Sequence, residues 1–329
     1  MAAFLLLLGC LAASTQEPRV LERSFTSELE LATEAFELEA AEEGRTVAQQ
    51  GPRFEREEAY EIEIADTLFD DQQPPAKFTR FYRTVMNSLR LSGDKAPLEK
   101  TVSAGLEGQR VTFARGEDGR YARSCADADV RQVQLNRLRA DLSLARFLPP
   151  VDQEGEDGPG AAFALPFADF ERILAPLEER PRRPHQKSAA SVGGLNLAPA
   201  ALTEPIAALL AGAEGELTVT PRARGEDDEL PRNADLAFRF EASFDGSAGL
   251  LAAGTGEAHQ YAHDEVELVY EGTGTLAWDP ESGRIAIQCR GELRLSERFT
   301  VRVEAGGKEG AARGRLELTG TLQLEASEE

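Results

Sequence analysis

A chain of 329 residues with 41% hydrophobic content can bury one large core or two modest ones, which excludes wholesale disorder. Its 36 basic residues against 58 acidic ones give a formal charge of -22, which repels nucleic-acid phosphates and anionic lipid headgroups at long range. Nucleic acid is therefore not an expected partner, and the acidity reads first as solubility.

Residues 1–14 are an apolar run, shorter than the ~20 residues that cross a bilayer and suited to the core of a signal peptide. Export is expected, to the periplasm or to a membrane by a lipid tether. Leu7-Leu8-Gly9-Cys10 offers Cys10 for lipidation, while Ala12-Ala13-Ser14 offers ordinary cleavage, and both routes stay open. No later stretch stays apolar over ~18 residues, so no transmembrane helix is expected.

Alternating apolar and polar residues predict half-buried strands over 28–40, 60–64 and 78–86. Strands at 109–114 and 120–125 flank Arg115-Gly116-Glu117-Asp118-Gly119, a turn composition that predicts a hairpin. The period then changes. Val130, Val133, Leu138, Leu142 and Ala145 predict a helix near 128–148, capped by Asp127 or Asp129 and stopped by Pro149-Pro150. A short amphipathic helix is expected over 167–174 and another over 202–210.

The basic, proline-rich run from Arg180 to Lys187 can propagate neither a helix nor a central strand, so 178–200 is expected to be a linker. It divides an N-terminal β-rich half, 20–177, from a C-terminal antiparallel meander, 201–326. Strands are predicted in the latter at 216–220, 235–244, 265–270, 273–278, 284–289, 292–295, 299–303 and 315–324. In the last of these Leu316, Leu318, Leu322 and Leu324 share one face, and Arg315, Glu317, Thr319 and Thr321 share the other. Gly119-Arg120 and Gly283-Arg284 each close a turn six positions before a cysteine, which suggests a duplicated hairpin. The fold class is mainly β (α+β): large antiparallel sheets, able to form an open half-barrel, with about three short amphipathic helices.

Tyr60 to Asp66 with Phe78-Thr79-Arg80-Phe81-Tyr82-Arg83, the helix running into Leu148-Pro149, and the stretch from Gly274 to Arg284 resemble a family. It is a family of exported bacterial β-rich proteins of uncharacterised function, and the resemblance covers the chain from about Arg23 onward. It implies a fold and no catalytic residues.

Chemistry is sparse. Cys125 and Cys289 are the two cysteines outside the leader and form a disulfide candidate for an oxidising compartment; two unpaired buried thiols would look the same in sequence. His259 and His263 are the weak metal candidates, four apart with Asp264 and Glu265 beside them. Acidic clusters at 117–118, 154–157 and 226–229 lack the spacing of a calcium loop and read as solvated turns. No serine elbow, zinc helix, phosphate loop or dinucleotide fingerprint occurs, and no cofactor is implied. The expected function is that of a non-catalytic exported envelope protein with a binding or structural role, its partner an apolar ligand or an envelope protein. One alternative is a half-barrel carrier of a lipid, its core otherwise filled by the helices, and another is a hydrolase without a recognisable motif.

Overall fold

The computed structural model describes residues 18–42, 45–51, 53–70, 72, 74–93, 98–103, 105–126, 130–150, 160–177, 190–192, 195–197, 204–226, 228–244, 249–252, 258–305 and 308–329. The leader with Cys10, most of the 178–200 linker and the 154–157 acidic cluster lie outside these residues.

Strand follows strand because the pattern has period two nearly throughout. The N-terminal strands are β1 (Arg19–Glu42), β2 (Arg45–Gln50), β3 (Glu55–Leu68), β4 (Lys77–Ser92), β5 (Leu98–Ser103), β6 (Arg110–Arg115) and β7 (Tyr121–Cys125). Then come β8 (Phe163–Pro166), the small hairpin β9 (Ala190–Val192) and β10 (Leu195–Leu197), and β11 (Glu214–Arg222). The chain ends with β12 (Arg232–Phe244), β13 (Gly249–Ala252), β14 (Ala258–Trp278), β15 (Ile285–Ala305) and β16 (Lys308–Glu328). Among the described residues three short helices interrupt them, α1 (Gln132–Leu135), α2 (Phe167–Leu174) and α3 (Ile206–Leu209).

All strands except β9 and β10 join one 14-stranded antiparallel sheet, whose main path runs β7-β6-β4-β3-β1-β16-β15-β14-β12-β11-β8. β2, β5 and β13 pair beside that path on β1, β4 and β14. Strands β1 to β7 form one antiparallel run and β11 to β16 another, with β8 pairing on β11, and the first and last long strands join the two runs, with Leu29 opposite Leu322 and Phe25 opposite Ala326. The path ends at β7 and β8, which do not pair with each other, so the sheet is not closed into a barrel.

The sheet is nevertheless curled. The ring of Phe170 on α2 packs on Phe238 and Phe240 of β12 and on Tyr270 of β14. Three residues on, the Ile173 carbonyl accepts a hydrogen bond from Tyr60 on β3. β12 and β3 lie five strand spacings apart along the path, about 24 Å in a flat sheet. Residues 170 and 173 of a helix are ~4.5 Å apart along its axis. Side chains stand nearly perpendicular to a sheet, so both strands meet one short helix only where the sheet wraps round it. The helices lie in the resulting trough.

The long strands differ from the shorter ones expected. Residues 265–278 lie on one strand and 285–303 on another, because Gly272, Gly274 and Gly291 continue the ladder where their composition suggested breaks. A Cβ on Gly291 would lie 2.7 Å from the Tyr270 ring, so the missing side chain lets that ring lie across β15. The Tyr270 hydroxyl then donates to the Leu322 carbonyl of β16 at 3.2 Å.

The helix expected near 128–148 is the main departure. Only Gln132–Leu135 is α-helical, a 3-10 turn follows at Leu144–Phe147, and Val133 is exposed. Backbone groups that a helix would use are taken elsewhere: Arg80 binds the carbonyls of Arg139 and Ala140, and the Arg139 amide donates to Leu177. Asp127 and Asp129 lie outside the described residues. α2 matches 167–174, and the third helix is confined to Ile206–Leu209.

Candidate functional site

The trough gathers buried side chains from the strands of both meanders. From the C-terminal strands its wall is apolar: Leu217, Val219, Leu236, Phe238, Phe240, Leu268, Tyr270, Leu293, Leu295, Leu316, Leu322 and Leu324 are all buried. Phe238 and Phe240 stack with ring centroids 5.6 Å apart, and Phe167 and Phe170 of α2 cover them. Burial raises the pKa of the Tyr270 hydroxyl far above its ordinary value, so it stays a neutral donor. Glu297 is a buried carboxylate at an inward position between Leu295 and Phe299.

From the N-terminal strands the wall carries two polar rows. The first crosses four strands near the chain termini. Arg80 on β4 faces Asp66 on β3 at 2.7 Å, Arg23 on β1 reaches Asp66 at 2.6 Å, and Arg23 also reaches Glu328 on β16 at 2.6 Å. Two arginines and two carboxylates balance, which is what makes their burial tolerable. The row also holds residues 138–150, the crossing chain that leads from the β7 edge of the sheet toward β8, since Arg80 takes the carbonyls of Arg139 and Ala140 and Glu328 accepts from the Leu144 amide at 3.1 Å. Arg80 further lies over the rings of Phe78 and Phe113, with its guanidinium carbon 5.4 and 5.1 Å from their centroids.

The second row is Arg56, Glu58 and Tyr60, alternate inward residues of β3. Arg56 pairs with Glu58 at 2.6 Å and donates to the Glu204 carbonyl. Glu58 accepts from the Ile206 amide at 3.2 Å, and Tyr60 donates to the Ile173 carbonyl. Desolvation raises the Tyr60 pKa well above its ordinary value. Beyond Tyr60 the same face of β3 turns apolar with Ile62 and Ile64.

These residues were not singled out from sequence, although a signal existed. With period two, Arg56 and Glu58 fall on the face of Ile62 and Ile64, opposite the run Glu55, Glu57, Glu61 and Glu63. Charges that share the core face of a strand are worth asking about.

The two cysteines expected as a candidate pair are not brought together. Cys125 on β7 and Cys289 on β15 are free thiols, with β6, β4, β3, β1 and β16 between their strands, so the candidate disulfide is not formed. Burial pushes the Cys289 thiol up to about 12, which keeps it protonated and unreactive at neutral pH. His259 and His263 both lie on β14. Their side chains lie outside what the structure describes. Among the described residues no group of three or more metal-ligating side chains occurs. The acidic turns serve themselves: Asp118 accepts from the Arg120 amide, and hydrogen bonds from Arg222 and the Gly225 amide lower Asp228 to about 2.

No family model matches the chain, and no curated protein does. Among solved structures the chain is similar to Acinetobacter baumannii OccAB4, at 7% identity over 93% of this chain and 98% of that one, with a TM-score of 0.16. It is also similar to the beta domain of the Bordetella autotransporter BrkA, at 12% identity over 93% and 99% with a TM-score of 0.14. A bacterial polysaccharide outer membrane secretin follows at 7% identity over 93% and 97%, with a TM-score of 0.13. Scores of that size carry no argument.

Proposed function

We propose that the protein is a non-catalytic, exported envelope protein that works by binding, with an apolar ligand held in the trough. The observation that carries this reading is the division of polarity across the C-terminal strands. Their inward face is leucine and aromatic, and their outward face is a lattice of ion pairs such as Arg239 with Glu271 at 2.5 Å, Arg294 with Glu292 at 2.9 Å and Arg298 with Glu265 at 3.0 Å. A membrane-spanning barrel has the reverse arrangement, apolar outside and polar within. The inward charges of the N-terminal strands hold strands to one another or to the helices, so they read as construction and not as an acid and base for catalysis.

The competing reading, a module that captures extended protein segments at its sheet edges, finds less support. β8 is one edge, only four residues long and ending in Pro166, and its neighbour β11 carries Pro221. Short edges with proline resist strand addition.

Mass spectrometry of an organic extract tests the proposal on mature protein purified without detergent from its native envelope. A lipid or other apolar compound near one per chain is expected. A clean extract would mean that the helices alone fill the trough and would move the search to protein partners.

A further inference from the structure

The two helices that fill the trough are attached at one side and tied at the other. α2 starts on the residue after β8, and α3 runs through a turn at 210–213, with Gly212 at φ +81°, into β11. β8 and β11 are neighbours at one edge of the sheet. The ends remote from that edge meet β3, where Tyr60 takes the Ile173 carbonyl, Arg56 the Glu204 carbonyl and Glu58 the Ile206 amide.

Resting on the apolar-ligand reading above, we infer that Arg56, Glu58 and Tyr60 form a latch. Its release lets α2 and α3 swing out on the β8–β11 edge and admits an unbranched acyl chain to the trough beneath.

Three observations carry this. The Ile173 carbonyl and the Ile206 amide belong to the end groups that no helix satisfies internally, so water can take them when the latch opens. Arg56 and Glu58 keep each other at 2.6 Å, so release leaves neither charge without its partner. The surface beneath offers Leu29, Phe238, Tyr270, Leu293 and Leu322, and the Tyr270 hydroxyl is already used by the Leu322 carbonyl. A ligand with polar groups along its length would leave them unsatisfied on that surface, whereas a hydrocarbon chain would not. α2 is also tied to the crossing chain, by Arg172 with Asp141 at 3.0 Å, Arg146 with Asp169 at 3.9 Å and Arg139 with Glu171 at 3.6 Å, of which the first two are partly exposed to solvent and weak.

The test is Tyr60→Phe, which keeps the ring and removes the latch hydroxyl, read by amide hydrogen exchange and by labelling with a diazirine-bearing palmitate. Exchange is expected to rise about 3- to 10-fold over 167–174 and 204–210, with β14 to β16 unchanged, the size of one net hydrogen bond. Unchanged exchange, or a rise spread over the whole sheet, would overturn the latch. Photolabel is expected on peptides holding Phe238, Tyr270, Leu293 or Leu322, and faster in the variant. Label confined to the outer face, or taken up at equal rates by both proteins, would overturn the gating. A local rise in exchange with no labelling in either protein would uphold the latch and remove the apolar-ligand reading beneath it.

Discussion

The two meanders that meet at β1 and β16 are built alike and stabilised differently. On the trough side, β12, β14 and β15 present mainly leucines and aromatics, whereas β1, β3 and β4 bury Arg23, Arg56, Glu58, Asp66 and Arg80 among their apolar residues. The C-terminal meander gains its stability from area removed from water, each large side chain contributing about 1.5–3 kcal/mol. The N-terminal one adds a framework of charges with fixed partners, which discriminates among positions of the crossing chain more sharply than it stabilises the fold. The difference tells which wall holds the helices in register and which merely accepts them.

The sharpest way to break that comparison is Asp66→Ala. It strips two guanidiniums, Arg23 and Arg80, of their shared carboxylate in a buried site. A loss of about 3–5 kcal/mol is expected, because buried Arg80 then has no carboxylate and Arg23 keeps only Glu328. Urea unfolding followed by circular dichroism checks this, and a loss under about 1 kcal/mol would mean that the row is open to water. Leu322→Ala is the counterpart from the apolar wall. It leaves the carbonyl that Tyr270 uses and should cost about 2–5 kcal/mol, set by how far the trough collapses round the vacated volume. An apolar ligand that fills the vacated volume should raise the stability of Leu322→Ala by more than that of the parent or of Asp66→Ala, which it would stabilise by mass action alone.

How much of this was legible in the sequence follows from which interactions are local. The hairpin at residues 116–119, helix α2 and the leucine face of β16 were readable because turn chemistry and periodicity lie within a few neighbouring residues. The failed helix near 128–148 shows the limit. Its apolar spacing is real, but Arg80, some sixty residues earlier, claims the carbonyls that would have propagated it. The candidate site was hidden for the same reason. Arg56, Glu58 and Tyr60 become a row only when β3 pairs, and their partners at 173, 204 and 206 arrive from the far edge of the sheet.

Gly291→Ala sharpens the comparison at a smaller scale. An added methyl group would lie 2.5 Å from the Glu271 carbonyl oxygen and 2.7 Å from the Tyr270 ring. The Tyr270 ring must tilt and its bond to Leu322 must lengthen, for an expected cost of about 1–3 kcal/mol. The ring's near-ultraviolet circular dichroism should change in parallel, and an unchanged spectrum with full stability would show that β14 and β15 lie farther apart than described.

The smallest effect lies where the crossing chain meets α2. Burial pulls the Asp141 carboxyl upward, but Arg172 and Arg146 beside it outweigh that and hold it below the usual carboxylate range. A depressed folded-state pKa gives stability that is present above the unfolded value, near 3.8, and lost as pH falls through the lower folded value. Asp141→Asn should therefore unfold slightly earlier than the parent at pH 7, by about 0.2–1 kcal/mol once solvent screening is counted. The two curves should converge as pH falls through the lowered folded-state value, where the parent carboxylate is itself protonated. A difference that stayed undiminished as pH was lowered throughout the acid range would assign the effect to the Ser143 and Arg146 contacts of Asp141 as hydrogen bonds and not to its charge. The crossing chain would then be held to α2 by geometry, as the helices are held to β3.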